Sequence, residues 1–404
     1  MDIEELTLKL LSLDTQNSDS NVTKFLGETR QLIDFCASVL KQSSNIVVNV
    51  QSYDIKSAEG VILRKNRANL IAKLATPVLD KPTVMLQGHV DTVPFQSEAG
   101  QLQLGWDSKP FGEVRDGLIY GRGAGDMKGP VAAMIAAFLE LATRHDLKYN
   151  PILLLTSDEE ANGFAGIKNY LSMNKENIAF AICGDGEDFL IADRFKGALS
   201  YNITFEGVSC HGSRPWLGAS AVHAAIPTLQ NLYALVSKVS DIKNPGFEGQ
   251  DEHTTHSTMN IGKIEGGTKV NTVADRCTIE FEMRLVQDAA QYLQLIQNNI
   301  ISTIPVGLPS GVKFTHKKNF AFEPMTVPNN VYSDGLEDCV SHVRGIPAKR
   351  GITHGFTEAY FLNEGGITTV VFGPTSPGHH GANERVLLKD LKVLRDVYVA
   401  YFTK

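Results

Sequence analysis

Apolar residues along this chain fall alternately into short unbroken runs and into helical spacings. The opening stretch MDIEELTLKLLSLDT is amphipathic at helical period, and so are residues 26–40. Residues 84–86, just after Pro82, form a run suited to a buried strand. Residues 131–141 return to helical spacing, 152–156 read as a second strand, 165–173 as a helix and 178–183 as a third strand. Near the C-terminus a β-branched run at 368–372 precedes a helix at 387–402. Strands that alternate with helices predict an α/β fold, a parallel or mixed sheet flanked by helices. The middle of the chain reads differently. Residues 199–205 and 277–285 alternate apolar and polar positions as strands do, and 219–235 and 287–301 are helical. That order predicts a smaller α+β domain inserted at 196–316, with 1–195 and 317–404 folding together across it.

Composition changes this picture little. The chain has 404 residues, 43% hydrophobic and 21% charged, with a net charge of −7. These are values of an ordinary globular protein. With no block of basic residues, neither nucleic acid nor an anionic membrane is an expected partner. No apolar run is long enough to span a bilayer. The acidic opening helix lacks the basic flank and cleavage site of a leader. The cysteines Cys36, Cys183, Cys210, Cys277 and Cys339 are odd in number and show no CxxC spacing. Reduced thiols and a cytoplasmic location are the expectation.

The chemistry sits at the ends of the predicted strands. Gly88-His89-Val90-Asp91 follows the first strand, and residues two apart in extended chain point the same way. Imidazole is a common zinc ligand, and a nearby carboxylate can hold its other nitrogen. Taken alone, this pattern suits a hydrogen-bonded loop equally well. Gly121-Arg122-Gly123-Ala124-Gly125-Asp126 forms a glycine-rich loop before a helix, without the GK[ST] of a phosphate loop. Asp126 could cap that helix or bridge two metals. Asp158-Glu159-Glu160 ends the next strand. Three consecutive acids repel one another unless cations neutralise them, more than a helix start requires. Asp185 and Glu187 follow the third strand, and His379-His380-Gly381-Ala382-Asn383-Glu384 follows the last. A mixed set of imidazoles and carboxylates suits zinc, with cobalt or manganese as substitutes.

GHVDTVP, GRGAGDMKG, SDEE and HGANE, in this order over nearly the whole chain, resemble the di-zinc aminoacylase and acetylornithine deacetylase family. That family includes succinyl-diaminopimelate desuccinylase and carboxypeptidase G-type enzymes. The resemblance implies that Asp126 bridges two zinc ions, with His89 and Asp185 completing one site and Glu160 and His380 the other. Glu187 is the weaker alternative to Asp185. His379 stands where alanine is common, and the spacing to Asn383-Glu384 favours His380 over it. Glu159 would be the general base, and Asp91 would orient His89. The insertion resembles the family's lid and dimerisation domain. GVSCHGSRP matches one signature there, and Gly266-Gly267 with Asn271 matches another. His211 would polarise the scissile carbonyl in the active site of a partner subunit, and Asn271 and Arg284 would meet the polar end of the substrate. As edge-strand and turn residues, these last two also have an ordinary structural reading.

The resemblance thus implies a homodimeric amide hydrolase in which Glu159 activates a zinc-bridging water. Thr357-Glu358-Ala359 resembles the acetylornithine deacetylase branch. The expected substrate is therefore a small carboxylate-bearing N-acyl amino acid, with a dipeptide, cleaved by a dipeptidase or carboxypeptidase-type activity, as the alternative. No GxSxG elbow suggests a serine nucleophile. Cys210 directly precedes His211, so in a strand the two would face opposite ways. A non-catalytic family member would lack ligands, and none is missing. A metal-storage protein would not need Glu159.

Overall fold

The computed structural model describes residues 1–17, 28–56, 62–96, 100–160 and 164–403, without the side chains of Lys56 and Leu63. The chain divides into two compact units. The first comprises 1–193, 327–350 and 357–404, the second 194–326 and 351–356.

The first unit is built on a mixed sheet. Its strands run in the order Ile46–Lys56, Ile62–Leu74, Asn150–Thr156, Thr83–His89, Phe180–Cys183, Thr369–Val371 and Leu190–Phe195. Thr83–His89 pairs in parallel with Asn150–Thr156 and Phe180–Cys183, and Thr369–Val371 pairs in parallel with Phe180–Cys183. Six of the seven residues of Thr83–His89 are buried, as are six of Asn150–Thr156, so both faces are covered. The helix Lys128–Leu141 is apolar nearly all round, which suits a position inside the core rather than on it. Val131, Ile135 and Phe138 pack there with Leu391, Leu394 and Tyr398 of the helix Leu388–Thr403. The N-terminal helix is Ile3–Leu11, and the helical pattern at 26–40 forms Thr29–Leu40, Leu26 lying outside the described residues. The long pair Ile46–Lys56 and Ile62–Leu74 is absent from the hydropathy reading because charged and polar residues interrupt its alternation.

The second unit is a four-stranded antiparallel sheet, in the order Thr258–Gly266, Arg276–Leu285, Gly197–Glu206 and Lys313–Phe322. The helices Ala221–Ser240 and Ala289–Ile296 contribute Leu232, Leu235, Tyr292 and Ile296 to its core. The sequence predicts two strands here, and the structure has four. The two extra strands are the edges, and most of their residues are exposed or half-exposed, so no apolar alternation marks them. Lys313–Phe322 pairs along its length with Gly197–Glu206, which carries the second unit past the expected limit at residue 316. The predicted helix 287–301 is α-helical only over Ala289–Ile296 and ends in a π-type turn, Gln297–Ile301.

Candidate metal centre

Parallel strands put their C-terminal ends along one edge of a sheet, where an open α/β fold binds ligands. His89 is the last residue of its strand and lies in register with Thr156. Glu159 and Glu160 follow Thr156, Asp185 follows Cys183, and the 373–380 segment follows Val371. Asp126 comes from the glycine-rich loop just ahead of Lys128–Leu141. Glycine is required at 125, since a Cβ there would stand 1.5 Å from the hydroxyl of Ser376. The loop carrying Asp126 and the segment leading to His380 are therefore in direct contact.

Asp126 is the hub. Its Oδ1 lies 3.0 Å from His89 Nε2. Its Oδ2 lies 2.9 Å from Nε2 of both His379 and His380. His380 Nε2 is also 3.3 Å from Glu160 Oε2. Two groups of possible ligands result, His89–Asp126–Glu160 and Asp126–His379–His380, the atoms of each within 4.8 Å of one another. Asp126 belongs to both groups, as a bridging carboxylate would.

The charges in this cluster show what it requires. Burial, then repulsion from Asp126, pushes the Glu160 carboxyl up to about 7. The same causes push Asp185 up to about 8. Burial, reinforced by Glu160, Asp185 and Asp126 and opposed by His89, holds Glu159 well above the carboxylate range. Burial disfavours a charged ring at His380 and His379, but bonding to Asp126 overrides it and raises them to about 10 and about 9. Burial works against ionised Asp126, but the imidazoles bonded to it hold it well below the usual range. The donors are nitrogen and oxygen with no thiolate, a set that fits divalent zinc, cobalt or manganese.

Asp91 meets His89 through its backbone carbonyl and not through its carboxylate. His89 Nδ1 donates to the Asp91 carbonyl at 3.0 Å, whereas the Asp91 carboxylate is 3.7 Å away. That carboxylate instead accepts the backbone N–H groups of Glu159 at 3.2 Å and Glu160 at 3.1 Å. Asn17 Nδ2 donates to Asp91 at 2.8 Å and to Asp158 at 2.9 Å. Asp158, fully buried and in the left-handed region at φ 74°, pairs with Arg67 at 3.2 Å and Arg64 at 3.4 Å. The first acid of the trio is therefore neutralised by guanidinium groups. Only Glu159 and Glu160 face the ligand cluster.

Other predicted residues separate. Glu187 is exposed, while Asp185 interacts with the charges of His89, Asp126 and Glu160. His211 and Asn271 belong to the second unit, where their loops join through the Gly212 N–H and the Asn271 carbonyl at 2.7 Å. His211 is exposed and its Nδ1 lies 2.8 Å from Ser213 Oγ. Arg284, on Arg276–Leu285, donates to Glu282 at 3.2 Å. Sequence reasoning gave no role to Arg67, Asn17, Arg122 or Glu384. It read Glu358 only as a branch marker, yet this buried acid accepts from both Gln87 and Thr156. Arg122 and Glu384 carried a signal, as the second residue of GRGAGDMKG and the last of HGANE.

Comparison with known proteins supplies the family and the fold. The peptidase family M20/M25/M40 matches residues 85–404. The chain belongs to this family. It is 28% identical over 331 residues to a succinyl-diaminopimelate desuccinylase of Nitrosomonas eutropha, covering 79% of this chain and 82% of that protein. Human carnosine dipeptidase 1 superposes with a TM-score of 0.81 at 18% identity, over 99% of this chain and 95% of that one. The dipeptidase Dug1p of Saccharomyces cerevisiae does so with a TM-score of 0.79 at 15% identity, over 99% and 95%. The protein is a metal-dependent hydrolase of this family, and among its described residues no helix is long and apolar enough to cross a membrane.

Metal removal should destabilise this centre, increasingly as pH rises. Glu160 and Asp185 have raised folded-state values, about 7 and about 8, so the stripped protein loses stability as pH climbs through that range. Metal replaces those protons and binds more tightly as they leave. At 100 times its Kd a metal adds about 2.7 kcal/mol. Thermal melts with and without chelator should therefore diverge from about pH 5 to about pH 8. Coincident melts across that range would remove the metal from this site.

Proposed function

We propose that the enzyme hydrolyses the amide bond of a small N-acyl amino acid that carries a free carboxylate, with two zinc ions held by His89, Asp126, Glu160, Asp185 and His380. The observation that carries this reading is the division between two adjacent acids. Glu160 lies within a ligand group and meets His380, while Glu159, like Asp185, lies outside both groups, and Glu159 is still near enough to interact with the charges of His89 and Glu160. A ligand and a free base side by side suit hydrolysis and have no use in storage.

Divalent ions bound there would polarise the scissile carbonyl and acidify a water. Glu159 would take the proton of the attacking water and deliver it to the leaving nitrogen, so no covalent acyl-enzyme forms. The Asp91 carboxylate, holding the N–H groups of both glutamates, fixes the base relative to the ligand beside it. The Asp91 carbonyl fixes the His89 ring, leaving Nε2 directed at Asp126.

The sequence relatives favour an acylated amino acid, since the compared relatives of Nitrosomonas eutropha and Cupriavidus necator are succinyl-diaminopimelate desuccinylases. N-succinyl and N-acetyl amino acids, acetylornithine among them, are the first candidates and dipeptides the second. Arg284 would hold the substrate carboxylate bidentately, displacing Glu282. A homodimer through the second unit is supported by apolar side chains on its surface. Ile226 and Tyr233 of Ala221–Ser240 are 47% and 78% exposed, and Ile264 of the edge strand Thr258–Gly266 is 56% exposed. Self-association around a two-fold axis would cover such a face.

Glu159→Gln should retain metal and lose kcat by at least ~10², the scale for removing a general acid–base group. Glu160→Gln should instead release metal. Elemental analysis beside steady-state kinetics separates these outcomes, and equal metal loss in both variants would reverse the assignment.

Free acids in a panel of N-acyl amino acids should be cleaved at least ~10-fold faster than their methyl esters, as loss of a charge-assisted bond implies. The difference should vanish in Arg284→Leu. Equal turnover of acid and ester by the wild type would exclude carboxylate recognition, and cleavage of dipeptides alone would exclude the deacylase.

If each centre uses the partner subunit's His211, inactive His211→Ala and inactive Glu159→Gln should complement on subunit exchange. One hybrid site then has both groups, restoring up to about a quarter of wild-type activity, from random pairing into two-fold dimers. A wild type that sediments as an active monomer, or exchange without recovery, would refute the arrangement.

A further inference from the structure

The geometry points to Glu384 as the positioning residue of the metal pair, one carboxylate that sets both the Asp126 loop and the His380 loop. The inference rests on the metal reading above. Glu384 is fully buried. Its Oε1 accepts the backbone N–H groups of Gly125 and of Asp126 itself, each at 3.0 Å. Its Oε2 accepts the Gly123 N–H at 3.1 Å and Arg122 Nη1 at 2.8 Å. Its own carbonyl accepts from the Gly121 N–H at 2.9 Å. Every donor comes from the loop that ends in Asp126.

Arg122 extends the clamp to the other ligand. While Nη1 holds Glu384, Nη2 donates to the His380 carbonyl at 3.2 Å and to Gln103 at 3.3 Å, and the guanidinium lies 5.6 Å from the centre of the Trp106 ring. The neighbouring Asn383 accepts from the N–H groups of Asp107 and Ser108 and donates to the Gly105 carbonyl at 2.7 Å. Beyond Glu384, Arg385–Leu387 pairs with Leu118–Tyr120, anchoring the clamp in a small sheet.

A buried carboxylate costs several kcal/mol unless it is paired and hydrogen-bonded. Glu384 meets both conditions, and its charge is cancelled by Arg122, so it adds little field to the cluster nearby. What it contributes is position. With the N–H of Asp126 pinned, the Asp126 side chain is held with Oδ1 toward His89 and Oδ2 toward His379 and His380. A carboxylate is needed because both oxygens accept twice, whereas an amide nitrogen cannot accept at all.

Glu384→Gln tests this in the whole enzyme, loaded with Zn2+ or Co2+. Metal affinity is measured by competition with a chromophoric chelator, geometry by the visible absorption of the cobalt form, and fold by the melt of the stripped protein. The variant should melt cooperatively, bind metal about 10–100-fold more weakly and show an altered cobalt spectrum, the scale expected when a group supporting a ligand is lost. Glu384→Asp, one methylene short, should not restore either. A folded Glu384→Gln with wild-type affinity and spectrum, changed only in melting temperature, overturns the proposal. Should Glu384→Gln fail to melt cooperatively, Arg122→Lys decides. It keeps a cation opposite Glu384 but cannot also reach the His380 carbonyl, so the same weakening is expected and wild-type affinity overturns the proposal. A wild type that binds neither metal defeats the metal reading itself, an outcome distinct from equal binding by wild type and variant.

Discussion

Everything in the first unit answers to one constraint, the accumulation of buried negative charge around Asp126. Asp126, Glu159, Glu160 and Asp185 gather where parallel strands end, and burial there penalises ionisation severely. Three imidazoles crowd the single Asp126 carboxylate. Such a cluster opposes the fold in proportion to how well it is ionised. The scaffold tolerates it because the surrounding elements are rigid for independent reasons. Lys128–Leu141 is buried almost all round, and the strands on either side of Thr83–His89 are covered on both faces. A core of that kind can hold like charges together until cations relieve them.

The sequence made this cluster of imidazoles and carboxylates legible because its residue types are unusual at strand ends. An imidazole at 89 and acids at 126, 159, 160 and 185 stand out against apolar runs that exist only to be buried. The strands of the central sheet were legible for the same reason, their burial on both faces leaving continuous apolar runs. Strands with one wet face were not. Thr258–Gly266 and Lys313–Phe322 lie at sheet edges, and Lys313–Phe322 carries Lys313, Lys317, Lys318 and Asn319 where it meets water. The supporting shell escaped for another reason. Arg67 and Asn17 work through partners remote in sequence, and nothing local distinguishes a buried arginine from a solvated one.

Asp158 shows how the demand of clustered acids for cations can be met within the chain. Three successive acids do demand positive charge, and for the first of them the structure supplies it as guanidinium groups. Asp158 turns away through a left-handed backbone conformation and meets Arg67 and Arg64. Glu159 and Glu160 remain at the ligand cluster. Because Asn17 bonds both Asp91 and Asp158, the carboxylate that holds the two glutamate N–H groups is tied to the one that anchors the turn. The direction in which Glu159 presents its side chain is thus set by a chain of neutralised charges.

His379 is the place where this chain departs from the common pattern, and the geometry limits what that departure can mean. It meets the same Asp126 oxygen as His380, at the same distance. Only His380, however, also meets Glu160, and only the His380 carbonyl is held by Arg122. A ligand must be both close and fixed, since a ring free to swing loses entropy when it binds. Arg122 fixes the backbone at 380, and the hydrogen bond from Gly381 N–H to the Gly378 carbonyl closes the turn around it. His379 shares that turn, and what His380 adds is its contact with Glu160 and the hold of Arg122 on its carbonyl. Of two adjacent imidazoles equally near the bridging carboxylate, the one tied to the Glu384 clamp is therefore the better candidate to complete a metal site, and the other is an extra donor at its rim.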